Sequence, residues 1–500
     1  MFFHSYRFIL LFLPAVLLCH KAAELFAQEM RVRVRKAVLI AASILFICGF
    51  GWECVLAVLC STGLNYAVAR GFFCKTGAAR MPEKGRRAAL AVALLLNAGV
   101  LSALKITAFP IPVGLSFYTF TQIAFLVDAY RGETETLSLP DYLLHVLFFP
   151  KFLQGPIMRF ADTRRMITGT RLADDMSAAN LLNGILLFSL GLAKKVLLAD
   201  TLGNCVNTAY SLIPHLTRPD AVITILVFVA QLYFDFSAYC DMGMGCAWML
   251  GLDLVENFRT PLRTSTIVSY WKNWHMSLTG FFTRYLYIPL GGSRKGALRR
   301  YVNILIVFLV SGFWHGTGLT FLVWGALHGA AYVLVTALSQ KKPAEEEAQT
   351  KQKSPAGVLS RMLFTVCNYV FVSVCYVFFR AQTMADALKL FERTYGALVS
   401  YVSDTVAKTF YMDEILYIAK LTPFADGKYG VYICMAVVLA VTLWLLFFAP
   451  DARTMVLRND KRLEDGGSVR GLLFVLLCAL LFVWALVSLG EVTTYLYVNF

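Results

Sequence analysis

The sequence predicts an all-α polytopic membrane protein, and three observations carry that prediction. Hydrophobic residues fill 58% of the 500 positions and charged residues only 15%, a balance foreign to soluble domains. Several apolar runs reach or approach the roughly 20 residues that span a bilayer. The basic residues, which give a formal net charge of +15, fall in short clusters between those runs, as in cytoplasmic loops facing anionic lipid. That distribution argues against a nucleic-acid partner and makes membrane lipids the first partner expected.

Residues 5–27 form the first apolar segment. It reads as a retained membrane or interfacial helix, because no small-residue cleavage site follows it. The basic patch Arg31, Arg33, Arg35 and Lys36 comes next. Residues 37–69, with breaks near 49–51 and Gly63, read as two helices, residues 70–87 as a basic loop and residues 88–109 as another span. In residues 110–130, PIPVGLSFYTFTQIAFLVDAY, Gly114, Ser116, Thr119 and Gln122 make a polar side suited to close helix packing. Residues 143–160 contain FFPKFLQGPIMRF, whose prolines, glycine and cations predict a broken or re-entrant helix. Such backbone is tolerated at depth only where protein or a water-filled cavity covers it. Lys151, Gln154 and Arg159 are therefore candidate tunnel- or substrate-lining residues.

Residues 178–200 span again and end in Lys194, Lys195 and Asp200. Residues 221–252 hold QLYFDFSAYCDMGMG. Its Asp235, Ser237 and Asp241 are expected to face the bundle interior, since acids are costly against lipid. Gly243 and Gly245 make no dinucleotide fingerprint, for the third glycine and the preceding strand are lacking. Residues 302–338 allow one to two spans. Residues 339–357 are a solvated linker, and spans follow at 358–379, 429–449 and 471–490. The positive-inside bias puts the linker and the basic loop at 451–470 in the cytoplasm, and residues 381–428 and the C-terminus outside. With no internal repeat, residues 1–500 read as one membrane domain of the cell (plasma or inner) membrane. Its N-terminal part and histidine core cover 1–338, and its C-terminal helices 358–500. The 12 cysteines form no CxxC pair and read as small buried hydrophobes rather than disulfides or zinc ligands.

Three of the seven histidines, His275, His315 and His328, lie between residues 269 and 329. Ionisable groups inside apolar runs mark functional sites by default. A neutral imidazole takes a proton from an alcohol and returns it to a leaving group, and apolar surroundings favour that neutral form. His315 in GFWHG is the candidate base. His275, in WKNWH across a basic loop, is a second proton handler or the group that orients an acyl carbonyl. The competing reading of either is a histidine bonded to a backbone carbonyl. His328, between Gly325 and Gly329, reads rather as part of a small-residue packing face. Asn273 and Trp314, beside the two principal histidines, join the lining candidates, and so does His328. No HExxH, clustered acids or cysteines offer metal ligands, and no GxSxG or P-loop is present.

These residues resemble the membrane-bound O-acyltransferase family, in particular the bacterial branch that acetylates alginate or transfers D-alanine to teichoic acid. The matching motifs are PVGLSFYTF (112–120), FFPKFLQGPIMRF (148–160), FDFSAYCDMGMG (234–245), NFRTP (257–261), SYWKNWHMSLTGF (269–281), RYLYIPLGG (284–292), GFWHG (312–316), WGALHG (324–329) and VFFRA (377–381). The resemblance implies a ring of about 11 or more transmembrane and re-entrant helices around a thin core pierced by a tunnel. It makes His315 the catalytic base and His275 the second active-site residue. It also implies a thioester donor, acetyl-CoA or an acyl carrier, used as substrate with no permanently bound cofactor. The acceptor would be an extracytoplasmic polysaccharide hydroxyl, reached through a secreted or membrane-anchored SGNH-like partner. The tail YLYVNF departs from the FxYFxF pattern of related proteins but still matches Tyr497 to a candidate acyl relay; phenol oxygen can carry an acetyl group. Two rivals remain open: D-alanyl transfer from a carrier protein, and transport of a glycan or lipid.

Overall fold

The computed structural model describes all residues except 74–81, 108–110, 135–136, 169–171, 173, 175, 340–354, 397–399, 413, 415–428, 465–467, 491–494 and 496–500. The described residues are helical, with no strand among them, and ten of their helical spans are long and apolar enough to cross a membrane. In chain order the helices are α1 (Leu13–Ala22), α2 (Gln28–Cys48), α3 (Trp52–Val68), α4 (Glu83–Ile106), α5 (Leu115–Tyr130), α6 (Leu139–Leu147), α7 (Phe149–Phe152), α8 (Phe160–Thr168), α9 (Ala178–Ala193), α10 (Asp200–Ser211) and α11 (Arg218–Met249). They continue with α12 (Ile267–Asn273), α13 (Met276–Phe282), α14 (Ala297–His315), α15 (Leu319–Ser339), α16 (Pro355–Arg380), α17 (Met384–Gly396), α18 (Asp404–Lys408), α19 (Gly430–Phe447), α20 (Ala452–Glu464) and α21 (Val469–Val487). The chain forms two compact units. The first holds Met1–Ala193, Phe236–Asn257 and Ala452–Phe500; the second holds Lys194–Asp235 and Phe258–Asp451.

In the first unit the apolar run at 37–69 divides near 49–51, with Gly51 at φ 120° between α2 and α3, but not at Gly63, through which α3 continues unbroken. The basic patch is not a loop: α2 starts at Gln28 and carries it. Buried Arg35 donates to the carbonyls of His20 and Leu172 at 3.3 and 3.0 Å, so tertiary acceptors hold that cation inside a helix. The polar side of α5 is a packing device. Ser61 donates to Gln122 Oε1 at 2.7 Å and Asn97 to Asn65 Oδ1 at 2.8 Å, and Asn65 also bonds Gln122; these bonds join α3, α4 and α5.

Residues 143–160 break as their prolines predict, into α6, the short turn α7 and non-helical residues up to α8. Gly114, at φ 77°, opens α5 where a Cβ would come within 2.9 Å of the Phe152 carbonyl. The glycines of CDMGMG serve close helix approach: a Cβ on Gly245 would come within 2.7 Å of the Gly184 carbonyl on α9. Leu186, Leu187, Met244, Ala452, Val456 and Cys478 form a core beside them. The expected loop at 451–470 contains the helix α20, whose Val456 enters that core. On α21, Leu472, Leu473, Leu476, Leu477 and Leu480 are exposed, the lipid-facing stripe of a membrane helix.

In the second unit, residues 302–338 resolve into two spans, α14 and α15. They cross at Gly312 and Gly325: a Cβ on Gly312 would lie 2.5 Å from the Phe321 carbonyl, and one on Gly325 2.5 Å from the Phe308 carbonyl. The span beginning at 178 does not end at 200. It passes through a π-helical turn, Lys194–Ala199, into α10. Around the start of α11, Arg393 of α17 donates to the Leu216 carbonyl at 2.8 Å, and Asp220 accepts from the Ser403 amide at 3.0 Å. Six of the described cysteines are buried, but Cys19, Cys48, Cys60 and Cys367 are exposed on helices, which corrects the uniformly buried reading.

Candidate active site

The WKNWH segment is a kink between two short helices of the second unit. Thr266 caps α12, its Oγ1 accepting from the Ser269 amide at 3.1 Å. Asn273 donates through Nδ2 to the Ser269 carbonyl at 2.8 Å, and its own carbonyl accepts from the Arg259 amide at 3.0 Å, which ties NFRTP to the kink. Trp274 then leaves the helix in extended conformation, and His275 turns into the left-handed region at φ 42°. Its carbonyl accepts from the Thr279 amide at 3.0 Å, starting α13. A non-glycine residue held there is strained, and such strain clusters at functional sites. The His275 side chain is buried, and burial pushes its pKa down to about 3. The ring is therefore neutral around pH 7.

His315 is the last residue of α14, one turn beyond the Gly312 crossing. Its ring sits 4.4 Å from Trp314, 4.9 Å from Phe379 and 5.2 Å from Trp324, the last at 86°. Trp324 also touches His328 at 5.1 Å and Tyr376 at 5.8 Å. Tyr376 lies 5.9 Å from Trp274, the residue before His275. An unbroken aromatic wall thus runs from the WKNWH kink through Tyr376 and Trp324 to His315. The sequence reading missed Trp324 and Tyr376 as members. The available signal was spacing: Trp324 stands four residues before His328, on the same helix face.

His328 is fully buried at the back of this wall, its Nδ1 accepting from Trp271 Nε1 at 3.3 Å. Asp235 is also in the second unit and is buried against Lys195 at 2.7 Å; Lys195 also meets Asp200 at 2.9 Å. Both acids thus neutralise one cation. The remaining candidates lie in the first unit. Lys151 and Gln154 are buried in the turn after α6, and Ser237 is buried on α11. Asp241 is partly buried. Arg159 is half-exposed and pairs with Asp128 at 3.3 Å and Glu133 at 2.9 Å, a clamp between α5, the residues after it and the start of α8. Tyr497 lies outside the described residues. Tyr495 is buried against His4 at 4.8 Å and Tyr239 at 5.3 Å.

A cavity of about 310 Å³ in the second unit follows α14 from Arg300 to Ser311, lined also by Trp271, Thr279, Thr283, Tyr287 and Ser293. Eleven residues of helix rise about 16 Å. The cavity therefore runs from the basic end of α14 to one turn short of His315, with hydroxyls and the Arg300 guanidinium in its lining. An imidazole buried one turn beyond the last lining residue of that cavity has the chemistry for proton transfer to and from an acyl-transfer centre.

Comparison with known proteins agrees with this chemistry. The profile of MBOAT, the membrane-bound O-acyltransferase family, matches residues 104–379, a stretch that includes all three histidines. The chain is 34% identical over 414 residues to the probable alginate O-acetylase AlgI of Pseudomonas fluorescens, covering 80% of this chain and 76% of the relative. It is 30% identical over 437 residues to the peptidoglycan O-acetyltransferase of Helicobacter pylori, covering 79% and 80%. A teichoic acid D-alanyltransferase of Bacillus subtilis is 27% identical over 230 residues, covering 43% and 56%. With helices fit to cross a bilayer ten times among its described residues, the chain belongs to the membrane-bound O-acyltransferase family and is a multi-pass membrane acyltransferase.

Proposed function

We propose that this enzyme takes an acetyl group from a cytoplasmic thioester, acetyl-CoA or an acyl carrier, and delivers it to hydroxyls of an extracytoplasmic polysaccharide. The observation that carries the reading is the single aromatic wall joining the His275 kink to His315. His315 accepts the proton of the attacking hydroxyl as its oxygen adds to the thioester carbonyl. The C–S bond breaks, and the departing sulfur takes the proton back from the imidazole. His275, rigid and neutral, orients the carbonyl by hydrogen bonding. The donor enters along the α14 cavity, where Arg300 offers a cation to its phosphates, and this end of α14 faces the cytoplasm by the positive-inside bias. The C-terminus lies on the outer face. There Tyr497 is the candidate first acceptor, forming a phenyl ester that a secreted or membrane-anchored SGNH-like partner resolves onto the glycan. Acetyl rather than D-alanyl is favoured by coverage. The O-acetylating relatives match 58–80% of this chain, the D-alanyltransferases 43–46%.

The test is reconstitution of the full chain in vesicles with acetyl-CoA outside the face that carries the basic loops. Thiol release and ester formation on an added glycan are measured for wild type and His315→Ala. Thiol release that depends on His315 supports the reading. Equal release by both proteins, or release only with a D-alanyl carrier thioester, overturns it.

A further inference from the structure

The turn at 148–155 in the first unit is held from every side by groups that leave two of its side chains unused. Phe149 donates its amide to Ser43 Oγ at 3.1 Å, and Leu153 donates its amide to the Tyr239 hydroxyl at 3.1 Å. Pro150 faces Gly243 so closely that a Cβ there would come within 2.3 Å of its carbonyl. The Gly155 amide donates to the Lys151 carbonyl at 3.0 Å. That bond continues the helical turn, so Lys151 and Gln154, three residues apart, lie on one side of it.

Lys151 is 4% exposed and Gln154 0%. No acid among the described residues pairs with Lys151, and neither Nε2 nor Oε1 of Gln154 has a hydrogen-bond partner among them. The acids nearby in sequence are engaged elsewhere: Asp141 with Lys36 at 2.6 Å and Asp128 with Arg159 at 3.3 Å. Burying an amide without partners, beside an ammonium that no described acid neutralises, is costly, and a rigid backbone that maintains such a pair is the arrangement of a preorganised binding site.

We propose that Lys151 and Gln154 form a binding cradle for a hydroxylated oxyanion, a carboxylate or phosphate borne on a polyol. The ammonium takes the anionic oxygen, the Gln154 amide N–H donates to a second oxygen, and its carbonyl accepts from a hydroxyl. Two further facts agree. Burial lowers the Lys151 pKa to about 7, so a bound anion would restore its charge at neutral pH. His145 is pushed well below its ordinary value by burial and then by the Lys151 charge, so the neighbouring ring stays uncharged and adds no charge of its own beside the ammonium.

Thermal unfolding of the full-length protein in detergent, titrated with glucuronate, glucose 6-phosphate or glucose, tests the cradle without relying on acyl transfer. A concentration-dependent rise of the midpoint with glucuronate identifies a carboxylate ligand, and one with glucose 6-phosphate a phosphate ligand; glucose gives none. Lys151→Met is expected to weaken the apparent affinity at least ten-fold. Gln154→Leu, of similar volume and unchanged charge, is expected to do so by several-fold. No shift with either oxyanion, a shift with glucose as large as theirs, or full shifts in both variants overturns the proposal.

Discussion

The indole N–H of Trp271 donates to Nδ1 of His328 over 3.3 Å. With Nδ1 used as acceptor, the proton of this neutral imidazole sits on Nε2. Any protonation at Nδ1 would break the bond, so His328 is a fixed part of the wall behind His315 rather than a base. His328→Ala leaves a buried indole N–H without its acceptor and should lower stability by about 1–3 kcal/mol, with acyl transfer falling in step. His328→Asn, which restores a carbonyl acceptor, should recover part of both. His315→Ala should instead reduce transfer by about 10²–10⁴-fold with a smaller change in unfolding midpoint. Parallel measurements of unfolding and thiol release separate the two roles.

His275 combines a positive φ of 42° with complete side-chain burial. Glycine adopts that backbone without steric strain, while alanine does not. His275→Gly and His275→Ala should therefore both lose transfer, yet the glycine variant should be the more stable by roughly 1 kcal/mol. Equal stability would show that the kink relaxes on losing the ring.

The depressed pKa of His275, about 3, also has a sign. The unfolded chain binds the proton more readily than the folded one, so the neutral histidine's contribution is complete above about pH 6.5 and declines as pH falls toward 3. His275→Asn should flatten that part of the stability profile. The comparison is between the two proteins' unfolding midpoints at pH 7 and pH 4.5.

What was legible in the sequence was whatever local chemistry decides. Glycines 49 and 51 part α2 from α3, the prolines of FFPKFLQGP break the helix, and two histidines stand in apolar surroundings. What was not legible depends on distant partners. Arg35 could enter a helix because the Leu172 carbonyl accepts from it. The WKNWH kink exists because Arg259 bonds the Asn273 carbonyl. The charged run 452–464 folds as a helix because Val456 finds a core contributed by α9, α11 and α21. Tyr376 lies 48 residues beyond His328, and nothing local announces that it touches Trp324.

Lys195 and Asp235 are each almost completely buried and meet at 2.7 Å. Removing one partner of such a pair strands a charge and costs about 3–5 kcal/mol, whereas apolar replacement of both is often neutral. Lys195→Met should destabilise the protein strongly, since it removes the cation shared by Asp235 and Asp200. Adding Asp235→Leu should recover part of the loss, the share owed to the more deeply buried acid. If the double variant regains stability but not acyl transfer, the pair serves the reaction as well as the fold, and thiol release by the refolded double variant decides this.

Gly312 and Gly325 meet where α14 crosses α15, their added Cβ atoms each falling 3.6 Å from the other's Cα and 2.5 Å from backbone carbonyls. His315 and His328 stand three residues beyond their respective glycines, on opposite sides of the crossing in an antiparallel hairpin, with Trp324 between them. A larger residue at either glycine must push the helices apart, because a carbonyl on a packed helix cannot move aside as a side chain can. Gly325→Val should destabilise by about 1–3 kcal/mol and reduce transfer beyond the loss of folded protein, since Trp324 is then drawn away from the His315 ring. Gly280→Ala is the control: a Cβ there meets nothing within 4 Å, and the substitution removes only a helical glycine's flexibility, so stability should rise slightly. Tryptophan emission and thiol release, each normalised to folded protein, read the displacement directly. Wild-type transfer in Gly325→Val would mean that the reaction does not depend on the Trp324–His315 contact.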